Sequence, residues 1–122
     1  LISSQNVFEF MHSVFIDLPH EEFWILTLNR ANHPIKKHFI SKGGLSQTIV
    51  DVKLISKQAL DDFANSIILF HNHPSGNLIP SESDKMITNK IKQAISLFDI
   101  TLLDHLIFSD DNYYSFADEG LL

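Results

Sequence analysis

The stretch SIILFHNHPSG, residues 66–76, decides both the fold and the chemistry expected of this chain. Residues 66–70 are a short, mostly apolar run, which is typical of a strand buried on both faces inside a sheet. Pro74 and Gly76 then enforce a loop. His71 therefore lies where a buried strand ends, a common position for functional side chains.

Two histidines in this stretch have the spacing of a metal-binding pair. Residues two apart in an extended segment project from the same face, so His71 and His73 can direct their imidazoles at one point while Asn72 points away. Catalytic zinc sites take three protein ligands and leave a fourth position for water. The pair therefore needs one more ligand, and on its own it is more typical of two structural histidines than of a metal site.

The next helix offers the third ligand. It is expected to start near Ser81 and to carry Asp84 in its first turn, where the carboxylate can face the strand end and gains from the positive helix terminus. Residues 81–84 also resemble a capping box, in which Ser81 and Asp84 satisfy free backbone N–H groups. The spacing alone leaves metal binding and helix capping as alternatives.

Composition limits the chemistry. The 122 residues are 44% hydrophobic, which predicts one domain over residues 1–122 with a genuine core. The absence of cysteine excludes disulfides, a thiolate nucleophile and a cysteine-based zinc site. A net charge of −6 makes direct nucleic-acid binding unfavourable. No apolar run is long enough to span a membrane and no signal peptide is recognisable, so we expect a cytoplasmic protein without membrane contact.

Strands and helices alternate along the chain. The predicted strands are residues 23–28, 35–41, 66–70, 101–109 and 113–116, with turns at 29–34 and 110–112 and a brief pairing at 48–50. A first helix, capped by Ser3 or Ser4 and ended by Pro19, carries Val7, Phe8, Met11, Val14, Phe15 and Leu18 on one face. A second, capped by Asp51, carries Ile55, Ala59, Leu60 and Phe63. A third, from Ser81, carries Ile87, Ile91, Ala94, Ile95 and Phe98. The phenylalanines expected in the core are Phe8, Phe15, Phe39, Phe63, Phe70 and Phe98.

Three separated stretches carry a family resemblance. The string His-x-His, seven residues, Ser, two residues, Asp, running from His71 to Asp84, resembles the JAMM metalloprotease motif of the JAB/MPN domain family. Residues 71–76, 103–105 and 115–120 resemble signature runs of its RadC-like branch. The resemblance covers roughly residues 19–122. It implies an α/β fold, a three-layer α-β-α domain with a mixed central sheet of the JAB/MPN type, which is similar to the cytidine deaminase-like fold.

The resemblance also implies a zinc ion, Zn2+, held by His71, His73 and Asp84. A glutamate at the start of the first strand would act as general base; the pattern Glu-x-Phe matches Glu21, with Glu22 as the neighbouring alternative. Ser81 would donate a hydrogen bond to the oxyanion. The implied activity is that of a zinc metallopeptidase or isopeptidase acting on an amide bond of a peptide or protein substrate.

Further interpretations stay open at this point. His105 is interpreted as a satisfied core histidine outside the site. The RadC label also suggests a DNA repair or recombination protein, and a non-catalytic MPN-type interaction module is a third hypothesis. Cytidine deaminase activity is excluded, because its zinc site requires cysteines. The identity of the substrate and the oligomeric state are not encoded in any spacing.

Overall fold

The run at residues 66–76 supplies the middle strand of a five-stranded mixed sheet. The computed structural model describes residues 3–43 and 50–122. The elements are α1 (Ser4–Phe15), β1 (Glu22–Leu28), β2 (Pro34–Lys42), α2 (Val52–Asp61), β3 (Ser66–Asn72), α3 (Glu82–Ser96), β4 (Thr101–Phe108) and β5 (Tyr113–Ser115).

The strands lie in the order β2-β1-β3-β4-β5. β1 is antiparallel to both β2 and β3, β4 is antiparallel to β5, and β3 and β4 run parallel. The parallel pair follows from the connection, because parallel neighbours need a crossover and α3 supplies it. All seven residues of β3 are buried, as the apolar run predicts.

Helices cover both faces of the sheet, so the predicted three-layer α-β-α architecture is confirmed. Alternate residues of β3 supply the two cores, with Ile67 and Leu69 on one face and Ile68 and Phe70 on the other. α2 and α3 cover the first face with Ile55, Ala59, Ile87, Ile91 and Ile95. α1 covers the second with Val7, Met11 and Phe15.

The three helix starts follow the predicted caps. Ser3 Oγ accepts a hydrogen bond from the Asn6 N–H, and the Asp51 carboxylate accepts one from the Lys53 N–H. α3 begins with a capping box, described below. α1 is shorter than predicted, because it ends at Phe15 and Asp17 adopts a φ of +59°, which turns the chain toward β1.

Four residues predicted to be buried are exposed, which corrects the sequence-based core. Phe63 and Phe98 lie beyond the ends of α2 and α3, and a φ of +50° turns Phe63 off its helix face. Phe39 lies on the edge strand β2, where it contacts only the edge of Trp24 among the aromatic rings described. The exposed fractions are 42% for Leu60, 91% for Phe63, 49% for Phe98 and 48% for Phe39.

The remaining expectations are close to the observed fold. Phe15 and Phe70 are buried as predicted. Each predicted strand boundary lies within two residues of the observed one. Most of the pairing expected at residues 48–50 lies outside the described residues. Within the described ranges, none of the helices has the length and apolar character needed to cross a membrane.

Asp62 ties the end of α2 to the sheet. Its Oδ2 accepts a hydrogen bond from Thr27 Oγ1 on β1 at 2.7 Å and lies 2.6 Å from His38 Nε2 on β2. Burial alone would raise the pKa of Asp62, but the hydrogen bonds from His38 and Thr27 outweigh burial and lower this pKa. The ionised carboxylate is therefore the form that the fold stabilises.

We expect the Asp62→Asn substitution to lower the free energy of unfolding near neutral pH, and we expect this loss to become smaller as the pH falls. Because the pKa of Asp62 is lower in the folded chain than in the unfolded one, its stabilisation is present above the ordinary pKa of about 4 and is lost as the pH falls through the folded value. Denaturant unfolding of both proteins between neutral and acidic pH measures this. Asp111→Asn, in an exposed turn, is the control, and a pH-independent difference for Asp62→Asn would contradict the assignment.

Candidate metal centre

Three side chains converge where β3 ends. His71 Nε2 lies 3.0 Å from His73 Nε2, Asp84 Oδ1 lies 3.3 Å from His71 Nε2, and Asp84 Oδ2 lies 3.4 Å from His73 Nε2. A tetrahedral zinc ion with bonds of about 2.0–2.1 Å separates its ligand atoms by about 3.3 Å. The structure thus brings the three predicted ligands close enough together to hold one metal ion.

The end of β3 positions the two histidines. His71 is held within the sheet between Phe23 on β1 and Ile107 on β4. The His73 N–H donates to the Phe108 carbonyl at 2.8 Å, so the chain follows β4 after it leaves β1. Gly76 closes the turn by donating its N–H to the His73 carbonyl, and its φ of +87° favours glycine.

Asp84 forms the predicted helix cap, and its position is also compatible with the metal-binding role that the sequence left as the alternative. Its Oδ2 accepts the Ser81 N–H at 2.8 Å while the Asp84 N–H donates to Ser81 Oγ at 3.0 Å, which is a complete capping box. The two roles are compatible, because a carboxylate has two oxygens with several acceptor positions. Burial alone would raise the pKa of Asp84, but the adjacent imidazoles of His71 and His73 and the Ser81 N–H hold this pKa far below its usual range.

The tautomer of His73 follows from its outer hydrogen bond. His73 Nδ1 lies 2.6 Å from the carbonyl oxygen of Asn77. A carbonyl oxygen only accepts, so Nδ1 carries the hydrogen. In the neutral imidazole, Nε2 therefore presents a lone pair to the centre of the site.

The tautomer of His71 is fixed by a chain of three hydrogen bonds. Thr88 Oγ1 donates to the Asp84 backbone carbonyl at 2.6 Å, so it must accept from His105 Nδ1, which also lies at 2.6 Å. Neutral His105 then has a lone pair on Nε2, which accepts from His71 Nδ1 at 2.7 Å. His71 Nε2 consequently presents a lone pair as well.

Two lone pairs therefore face each other across 3.0 Å, an arrangement that requires a cation between them. Burial lowers the pKa of His71, which disfavours a proton there, whereas the hydrogen bond to Asp84 raises the pKa of His73. A proton on His73 Nε2 relieves the repulsion, but it can form a hydrogen bond to only one acceptor, either His71 Nε2 or the Asp84 carboxylate. A divalent metal ion satisfies both nitrogens and the carboxylate at once, so these residues fit a bound metal.

The two candidate bases face different surroundings. Glu22 is occupied, because its carboxylate accepts from Trp24 Nε1 at 2.9 Å and lies 2.8 Å from His20 Nε2. Glu21 lines the cleft beside the metal-binding residues, and its negative charge acts on the imidazoles of both His71 and His73. Adjacent residues at a strand entry point in opposite directions, so only Glu21 is directed at the cleft.

The cleft is about 430 Å³ in volume, within the range of small-molecule and peptide side-chain sites. Ser81 is exposed at this cleft. Its Oγ accepts a hydrogen bond from the Asp84 N–H. None of the described contacts uses its hydroxyl hydrogen, so this hydrogen is available to a bound group. The lining residues are Glu21, His73, Pro74, Ser75, Asn77, Ile79, Ser81, Ser83 and Asp84.

His105 and Thr88 belong to the support of the site, although the sequence reasoning left both out. His105 is a buried and fully hydrogen-bonded histidine, as predicted, but one of its partners is His71. Its ring also stacks on Phe116 with centroids 4.6 Å apart. The signature run at residues 103–105 was the available signal, but only the pairing of β3 with β4 places His105 beside His71.

Comparison with known proteins identifies relatives of the whole chain. A family model described as the RadC-like JAB domain matches residues 1–121. A UPF0758 protein of Flavobacterium johnsoniae is 51% identical over 121 residues, which are 99% of this chain and 53% of that protein. UPF0758 proteins of Porphyromonas gingivalis and Chlorobium chlorochromatii are 44% and 42% identical, over 100% of this chain and 54% and 55% of their own lengths. The chain thus spans about half the length of these curated relatives.

We expect Thr88→Val to weaken zinc binding without unfolding the protein. Valine keeps the shape but removes the acceptor for His105 Nδ1, so that both histidines can exchange tautomers and His71 can turn an N–H toward the metal. Loss of such an outer partner costs about 10–100-fold in affinity. Competition with a chromophoric chelator measures the affinity. Ser96→Ala is the control, because the Ser96 hydroxyl donates a similar hydrogen bond to a backbone carbonyl on α3, away from the site. If Thr88→Val and the wild type bind zinc with equal affinity, the tautomer assignment is contradicted.

Proposed function

The chain belongs to the RadC-like JAB domain family, and from this premise we propose that it is a zinc-dependent metallohydrolase of the JAMM metallopeptidase or isopeptidase type, acting on an amide bond of a peptide or protein. The observation that carries the proposal is the convergence of His71 Nε2 and His73 Nε2, 3.0 Å apart, beside the Asp84 carboxylate. Three ligands from two histidines and one carboxylate are the set used by catalytic zinc hydrolases, which keep the fourth position open.

The donor set favours a transition metal such as zinc over magnesium or calcium. Imidazole nitrogens suit zinc better than magnesium or calcium, which prefer oxygen ligands alone. When bound, a zinc ion supplies a Lewis acid that lowers the pKa of a bound water toward about 7 and polarises a carbonyl oxygen. The cleft in front of the ligands provides space for a substrate group.

The residues of the chain itself would move the protons. Glu21, at the cleft, accepts a proton from the attacking water and returns it to the leaving amine. Ser81 donates its hydroxyl hydrogen to the carbonyl oxygen as negative charge develops there. Asp84 stays ionised throughout, because its low pKa prevents it from taking up the proton in place of Glu21.

A DNA repair or recombination role remains the alternative that the RadC label suggests. The net charge of −6 works against direct contact with phosphates. A non-catalytic interaction module is the third candidate, but it would not need two histidines fixed as metal-binding tautomers. We therefore place both behind the hydrolase proposal.

Purified protein is expected to hold one zinc ion per chain. His73→Ala and Asp84→Ala should each abolish stoichiometric zinc, because three ligands are the minimum of such a site. Elemental analysis after dialysis against metal-free buffer measures this, with His33→Ala, an exposed histidine in a turn, as the control. Wild-type protein that neither carries zinc nor takes it up on titration would overturn the enzymatic proposal.

Zinc-loaded Glu21→Gln protein is expected to keep its metal and lose hydrolysis by about 10²–10⁴-fold, the typical contribution of a general base. A peptide library incubated in ¹⁸O-water reveals amide hydrolysis as ¹⁸O in newly formed carboxylates, read by mass spectrometry. Glu22→Gln is the matched control and should remain active, because the Glu22 carboxylate is held by His20 and Trp24. The same ¹⁸O incorporation by wild type and Glu21→Gln would contradict the role of Glu21.

A further inference from the structure

We propose that Asn72, the residue between the two metal-binding histidines, is the positioning residue that holds Glu21 over the metal centre. The proposal rests on the function proposed above. Its basis is a pair of hydrogen bonds that the Asn72 side chain makes to the backbone on either side of Glu21, 2.8 Å to the Glu22 N–H and 2.9 Å to the His20 carbonyl.

The sheet explains why a side chain is needed at this point. Regular pairing between β1 and β3 ends at Phe23 and His71. The next residues of the β3 chain follow β4 instead, since the His73 N–H donates to Phe108 on that strand. The start of β1 therefore loses the backbone neighbour that would continue the ladder. The Asn72 amide replaces it, because a primary amide offers one acceptor and a donor, as a peptide group does.

The amide orientation is determined by its partners. The Glu22 N–H can only donate and the His20 carbonyl can only accept, so the oxygen of the Asn72 amide must face Glu22 and the nitrogen must face His20. Asn72 is also 4% exposed, so water does not readily replace these bonds. Aspartate at this position would keep the first bond but place a carboxylate oxygen against the His20 carbonyl.

A third bond completes the clamp on the other side of β1. The Glu21 carbonyl accepts the Gly43 N–H at 2.8 Å, beyond the end of β2. Thus His20, Glu21 and Glu22 each have a backbone group bound to Gly43 or to the Asn72 side chain. The backbone of Glu21 is fixed from both directions, which leaves only its side-chain torsions to place the carboxylate. A base displaced by about 1 Å costs on the order of 100-fold in rate, so this fixation matters for catalysis.

The first test uses no enzymatic activity. In the Asn72→Ala variant, exchange of the Glu22 amide hydrogen should accelerate roughly ten-fold, because one hydrogen bond is lost. With Co²⁺ bound in place of zinc, the paramagnetic shift of the Glu21 Cδ carbon should change strongly, while the resonances of His71 and His73 keep their wild-type shifts. Asn29→Ala is the matched control, since Asn29 also bonds two backbone N–H groups, at the opposite end of β1. Unchanged exchange at Glu22 and an unchanged Glu21 shift would overturn the proposal.

The second test uses the hydrolysis assay. Asn72→Ala should lower kcat by about 100-fold with little change in KM and with one zinc ion retained per chain. Introduced into Glu21→Gln protein, the same change should cost nothing further, because a positioning residue acts only through the residue it positions. Asn72→Asp should be impaired like Asn72→Ala. A loss that adds fully to that of Glu21→Gln, or one explained by missing zinc, would overturn the positioning role. If wild type shows no hydrolysis at all, the proposed function fails, and the exchange and Co²⁺ measurements still decide the role of Asn72.

Discussion

Two imidazole nitrogens held with their lone pairs toward each other are the constraint on which this site depends. The 3.0 Å between His71 Nε2 and His73 Nε2 would be repulsive unless a cation lies between them. Neither ring can relieve the repulsion by changing tautomer, because each outer nitrogen is bound, directly or through other side chains, to a backbone carbonyl that only accepts. The hydrogen bonds of the fold therefore favour a cation, either a proton or a metal ion, between the two nitrogens.

The first two turns of α3 carry much of that arrangement. Ser81, Asp84 and Thr88 are spaced by three and four residues, so they lie along one face of the helix. On that face, the capping box that starts the helix also orients the Asp84 carboxylate. One turn later, the Thr88 hydroxyl bonds the Asp84 carbonyl and anchors His105. The start of the helix and the metal centre therefore use the same atoms, and a change to one affects the other.

Strand direction brings the candidate base to the candidate metal ligands. β1 runs antiparallel to β3, so the start of β1 lies beside the end of β3, and residues 50 positions apart in sequence meet there. The β1–β3 ladder ends at this point, so the backbone at the start of β1 lacks a strand partner, and the Asn72 side chain takes its place. The site thus lies where the start of β1, the end of β3 and the first turn of α3 meet.

The sequence by itself determined the main strands, the capped helix starts and the His71–His73 pair, because each depends on local spacing: apolar periodicity, cap residues, and two histidines separated by one residue before a turn. The three-layer architecture and the choice of Asp84 as third ligand followed from the family resemblance. It misjudged Leu60, Phe63, Phe98 and Phe39, since burial depends on where a helix ends and which strand lies at the edge. It left Glu21 and Glu22 as alternatives, and it could not assign His105 or Asn72 to the site. Only the tertiary structure places Glu21 at the cleft and brings His105 and Asn72 beside the site, because these contacts cross from one strand to another, and no local pattern specifies which strands become neighbours.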